Sequence, residues 1–219
     1  MAAIALATVV VLLAVGNLAA RTVIENRISE AISKKLGYDV DVTPGGPLSL
    51  VAVVKKHVDT VKVSSDNAKI GNFDNADMHI RLNDVAFGGG TTTIGSTQAE
   101  IEIPASAIAQ QVGQGQVQVA GVRPDPTTNT LTLQMGPGGV AEVNLKPKID
   151  AGHLTFALEG VNIFGRPAPD QYRQKIEDRL PDSSNQKAYP LDMSMKTAQM
   201  TDSGVRVTLQ GNSTEFKRS

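Results

Sequence analysis

The chain has 219 residues, of which 21 are basic and 22 acidic, so its formal net charge of −1 offers no electrostatic basis for a nucleic-acid partner. It contains no cysteine, which excludes disulfides, a thiolate nucleophile and thiolate metal ligands. With no Trp and only 4% aromatic residues, the core must be built from Val, Ile, Leu, Met and Ala.

No charged side chain occurs between Ala2 and Ala20. The most apolar part, Ile4 to Val15, suits the apolar region of a signal peptide. The whole run just reaches the roughly 20 residues needed to span a bilayer as a helix. Small residues at Ala14, Gly16, Ala19 and Ala20 offer cleavage positions. Arg21, Arg27, Lys34 and Lys35 follow, but large domains translocate largely regardless of flanking charge. Residues 1–20 are therefore expected to be a signal peptide or signal anchor, with cleavage and retention both open. An ordinary buried helix is the other reading.

Thr22 and Glu25 have the T-x-x-E spacing with which a helix start satisfies its orphan N–H groups. Gly37 supplies a helix stop, preceded by Lys34 and Lys35 at the negative dipole end. Between them Ile24, Ile28, Ala31, Ile32 and Leu36 form an apolar stripe. The stripe could lie on a membrane surface, but its polar face mixes Glu, Ser and Lys, and packing on a sheet explains it better.

Beyond Gly37 the dominant period is two, the mark of strands with one buried face. The runs are Val58, Val61, Val63; Met78, Ile80, Leu82; Ile101, Ile103; and Val117, Val119. Leu131, Leu133, Met135 follow, then Val143, Leu145, Ile149 and Leu154, Phe156, Leu158. Leu191, Met193, Met195 and Val205, Val207, Leu209 close the series. Polar residues lie between, a pattern of antiparallel sheet, because parallel strands read as continuous apolar runs. Two more helices are expected, over Pro104 to Val112 and Pro169 to Leu180, each opened by a proline. Residues 21–219 show no linker and no exact repeat, so a single α+β domain is expected.

In this order the chain resembles the LmeA-like phospholipid-binding proteins of actinobacterial cell envelopes. The resemblance rests on the apolar N-terminus, the amphipathic helix and the alternating run Gly37-Tyr38-Asp39-Val40-Asp41-Val42. It also rests on the Pro/Gly-marked segment Pro44-Gly45-Gly46-Pro47-Leu48-Ser49-Leu50-Val51 and, near the end, on Pro190-Leu191 and Ser203-Gly204-Val205. It implies a fold similar to the tubular lipid-binding (TULIP-like) domains, in which a long curved antiparallel sheet wraps an N-terminal helix. An apolar groove between them would hold acyl chains. The family is associated with phospholipids, including inositol-type lipids, and with mannan elongation of envelope lipoglycans. The implied location is extracytoplasmic, in the cell envelope, as an anchored or secreted protein.

The residues suit such a task. Withdrawing an acyl chain of about 15 methylenes from a bilayer costs about 12 kcal/mol, at roughly 0.8 kcal/mol per methylene. A groove along an aliphatic sheet face can replace that contact, and a few side chains cannot. The candidate lipid-contacting residues are Ile24, Ile28, Ile32, Leu36, Leu48, Leu50, Met78, Ile80, Leu133, Met193 and Met195. Methionine adapts to irregular ligands, although any one of them more often simply fills a core. Leu48 to Val54, followed by Lys55-Lys56-His57, reads either as an apolar tip beside a basic cluster or as a buried strand ending in solvated lysines. On the first reading Lys55, Lys56 and the loop residue Arg166 would contact anionic headgroups at the membrane surface.

Enzyme signatures are missing. His57, His79 and His153 are far apart in the sequence and lack metal-ligand spacing, and no nucleophile elbow, P-loop or dinucleotide fingerprint occurs. Glu100 and Glu102 share the polar face of a strand. The expectation is a non-catalytic phospholipid-binding protein without metal or cofactor. The alternative is an envelope scaffold with a filled core and a protein partner.

Overall fold

The structure is a computed structural model that describes residues 41–45, 57–70, 73–88, 91–113, 119–178, 180, 189, 191 and 193–217. The leader, the striped helix of residues 22–37, and Leu48, Leu50, Lys55 and Lys56 lie outside the described residues. Most of what is described is antiparallel sheet with two helices, an α+β composition. Among the described residues no helix is long and apolar enough to cross a membrane.

The first strands are β1 (Asp41–Gly45), β2 (His57–Ile70), β3 (Phe73–Gly88) and β4 (Thr91–Pro104). Helix α1 (Ala105–Gly113) leads to β5 (Val119–Asp125), β6 (Thr130–Met135), β7 (Ala141–Asp150), β8 (His153–Ile163) and the two-residue β9 (Arg166–Pro167). Helix α2 (Asp170–Glu177) precedes β10 (Met193–Met200), β11 (Gly204–Gly211) and β12 (Thr214–Lys217). A seven-stranded sheet has the order β1-β2-β3-β4-β11-β10, with β12 paired to β4, and a five-stranded sheet runs β5-β6-β7-β8-β9. The chain divides into two compact units. The first takes residues 1–101, 188–194 and 209–219, and the second takes 102–187 and 195–208.

In the first unit, Val61 pairs with Leu82, Val63 with Ile80 and Ser65 with Met78, and all six are buried. The alternation then shifts phase. In β2 the next buried residue after Ser65 is Ala68, across a register shift, and in β3 Leu82 is followed by Val85. Asp84, at φ 55, takes a left-handed conformation at this phase change, while the register with β2 runs on unbroken from Asn83–Thr60 to Val85–Val58. In β4 the buried set moves from Thr92 and Ile94 to Thr97, Ala99 and Ile101, and the shift falls at Gly95-Ser96. A Cβ on Gly95 would meet Asp84 Cβ at 2.8 Å, so the two irregularities face each other. Irregularities of this kind bend the strands that carry them, and here the strands are long, at 14 residues in β2, 16 in β3 and 14 in β4.

In the second unit, Leu131 pairs with Pro124 and Leu145, and Leu133 with Val122 and Val143. Val143 in turn pairs with Val161. Leu131, Leu133 and Leu145 are essentially sealed from solvent. Helix α1 follows Pro104 as expected and buries Ala105, Ala107 and Ile108. Helix α2 is shorter than the proline-to-proline interval suggests and buries no residue fully. The expected strand start at Leu191 also moves, because Leu191 adopts φ 61 and β10 begins at Met193.

Candidate lipid-binding faces and a hairpin tip

The alternating residues build two aliphatic faces, one in each unit. Met78 and Ile80 sit two apart on the buried face of β3, with Ser65 and Val63 opposite on β2. Met193 and Met195 share the buried side of β10, with 9% and 6% of their surface exposed, and Leu133 lies on β6, between β5 and β7 of the five-stranded sheet, with 0%. Met193 belongs with Met78 and Ile80 to the first unit, and Met195 with Leu133 to the second. None of the described buried positions on the β2–β3 face is aromatic, and Phe156 is the one aromatic residue among the buried apolar residues described. Flexible aliphatic walls of this kind can adjust to acyl chains.

Arg166, by contrast, is exposed, in the hairpin between β8 and β9. It pairs with Ile163, which leaves Phe164 and Gly165 as a two-residue loop with φ of 51 and 72. Two successive positive φ values are the signature of a type I′ turn, which favours Asn-Gly. Here the first position holds Phe164, with 78% of its surface exposed. Its N–H donates to the carbonyl of Val140 at 2.8 Å, and Val140 is itself 37% exposed. The alternation of β8 continuing through Val161 and Ile163 to a Phe-Gly loop could have disclosed this hairpin, whereas Arg166 alone does not.

Charge in the second unit concentrates at Glu102. Its carboxylate accepts hydrogen bonds from the Ser203 hydroxyl, the Thr201 hydroxyl at 3.0 Å, and Arg206 Nη2 and Nε at 2.8 and 3.2 Å. The Ser203 hydrogen bond, then that from Arg206, holds the Glu102 carboxyl below its ordinary range. The Ala105 N–H donates to the Ser203 carbonyl at 2.9 Å, so this cluster ties the start of α1 to the β10–β11 turn. Asp125 is likewise lowered, by the Thr128 hydroxyl first, and its Oδ1 also accepts the Thr127 N–H at 2.9 Å in the β5–β6 turn. Both groups act within turns. Among the described residues no cluster of His, Asp or Glu could hold a metal ion.

A family model described as LmeA-like phospholipid-binding matches residues 15–210, which includes both aliphatic faces and the Phe164 hairpin. The chain belongs to the LmeA-like phospholipid-binding family. Membership assigns lipid binding as the general activity, with phospholipid as the partner class. No curated protein and no solved structure matches the chain significantly. Within this LmeA-like chain, the aliphatic positions of β3, β6 and β10 are buried in the two units.

Proposed function

We propose that this LmeA-like protein is a non-catalytic, extracytoplasmic lipid-binding protein, exported or anchored through residues 1–20. It shelters phospholipid acyl chains in an apolar groove between the helix of residues 22–37 and a curved sheet, in the manner of a TULIP-like domain, and supports envelope lipid or lipoglycan assembly. The observation that carries the reading is the family match over two faces made almost wholly of aliphatic side chains. The proposed acyl-chain contacts are Ile24, Ile28, Ile32 and Leu36 of the helix, Met78, Ile80 and Met193 of the first unit, and Leu133 and Met195 of the second. Leu48 and Leu50 are further proposed acyl-chain contacts, and Lys55, Lys56 and Arg166 are proposed contacts to anionic headgroups. The facing irregularities at Asp84 and Gly95 support the curvature such a groove needs.

The test is organic extraction of the purified protein followed by mass spectrometry, together with vesicle binding. Phospholipid recovered in stoichiometric amount supports the reading. A lipid-free protein that ignores vesicles and instead retains a specific protein partner would establish the scaffold alternative.

A further inference from the structure

We propose that the end of the five-stranded sheet carrying Phe164 is a membrane-insertion edge, and that its occupant is the interfacial layer of a phospholipid bilayer. The inference rests on the lipid-binding reading and adds where the protein meets the membrane. The strand register decides which residues share that end. Val119 pairs with Met135, Met135 with Ala141, and Ala141 with Ile163, so one apolar row crosses the sheet. All four are only half-buried, unlike the sealed leucines further in. Beyond the row project the exposed side chains of Val140 and Phe164. The charged residue in register with the row is Arg166, a cation. The nearest carboxylate along β7, Glu142, lies one step inward and faces Arg123 at 3.8 Å.

The other end of the same sheet is built differently. Its turns carry Asp125 paired with Thr130, and Asp150 paired with His153. Its tight hairpin repeats the geometry of the Phe164 turn, with Ala151 at φ 47 and Gly152 at φ 81. Two turns with the same positive-φ pattern thus hold the smallest chiral side chain at the acidic end and a large aromatic at the apolar end. The backbone does not ask for that difference, and what the side chain meets outside the fold accounts for it. A protein partner would need a broad complementary surface of roughly 800 Å² per side, and a pointed tip offers little of that. A bilayer interface needs only a few apolar side chains that penetrate, with a cation held at headgroup level.

The absence of Trp makes a direct test possible, since one introduced indole is the only one in the protein. Full-length Phe164→Trp and Ala151→Trp proteins are mixed with phosphatidylcholine–phosphatidylglycerol vesicles, with and without brominated acyl chains. The expected result is a blue shift and bromine quenching for the indole at position 164, and neither for the indole at position 151. Emission at position 164 that vesicles leave unchanged overturns the proposal, as does equal quenching at both positions. A blue shift that appears with protein concentration and no vesicles also overturns it, in favour of a second copy of the chain. Lipid content of the same preparations is measured by mass spectrometry. Bound phospholipid with an unresponsive position 164 removes the insertion edge alone, whereas lipid-free, vesicle-indifferent protein removes the lipid-binding reading with it.

Discussion

Phe164 illustrates a residue kept where local energetics disfavour it. A left-handed conformation costs an ordinary L residue roughly 1–2 kcal/mol, and Asn tolerates it better. Phe164 also hides little surface, so Phe164→Asn should stabilise the fold by about 0.5–1 kcal/mol, read as a higher midpoint in thermal or urea unfolding. A gain in stability with a loss of vesicle insertion would separate the two roles of the position. Thr97 presents the reverse case, a buried hydroxyl with no hydrogen-bond partner among the described residues. Its desolvation is uncompensated, so Thr97→Val, which keeps the shape, should leave stability unchanged or raise it by about 1 kcal/mol in urea unfolding. Glu102 is different again, because its hydrogen bonds are charge-assisted. Its folded-state pKa is lowered, so its contribution is fully present above its ordinary value of 4.5 and is lost as pH falls through the lower folded value. Glu102→Gln should cost about 1–2 kcal/mol at neutral pH, after allowance for partial exposure, and flatten the acid limb of the stability profile.

At the scale of elements, the tightest approach described is at the head of β11. A Cβ on Gly204 would collide with the Ile103 carbonyl oxygen and stand 2.8 Å from the Ala105 nitrogen. Those are backbone atoms at the β4–α1 junction and cannot swing aside. Gly204→Ala should therefore destabilise by about 3 kcal/mol, measurable as a lowered urea midpoint at unchanged slope. The sequence pattern announces Ser203-Gly204-Val205 as a turn but is silent about this contact, which joins residues a hundred positions apart. The same division between local and distant causes explains how much of the fold was legible. Strands whose inward positions are aliphatic, such as Met78-Ile80-Leu82 and Leu131-Leu133, declare themselves by alternation. The first half of β4 does not, because Thr92 and Thr97 occupy buried positions and the bulge at Gly95-Ser96 reverses the phase between them. Short β9 and β12 carry too few residues for any period to show. The candidate site divides likewise. Met78, Ile80, Leu133, Met193 and Met195 could be placed on sheet faces from spacing, whereas the edge around Phe164 depends on register across four strands.

For the whole molecule, the units are interleaved along the chain, with boundaries at 101/102, 187/188, 194/195 and 208/209. A contiguous fragment such as residues 102–187 would lack Thr201, Ser203 and Arg206, and so would leave Glu102 without the partners that hold it. Lipid effects must therefore be measured on the full chain. An apolar groove emptied of its acyl chains exposes aliphatic surface that the native state otherwise covers, and a ligand that binds only the folded form stabilises it in proportion to its saturation. At a lipid concentration about 100 times the dissociation constant, the gain is about 2.7 kcal/mol. For a chain of this size that corresponds to about 5–10 °C in melting temperature. Delipidated protein should thus melt lower than protein carrying its native lipid, and added phospholipid in mild detergent should restore the difference. Detergent alone or free fatty acid should restore less, because each lacks either the second chain or the headgroup. A melting temperature that is the same with and without lipid would mean that the aliphatic faces close on themselves, as a filled core does.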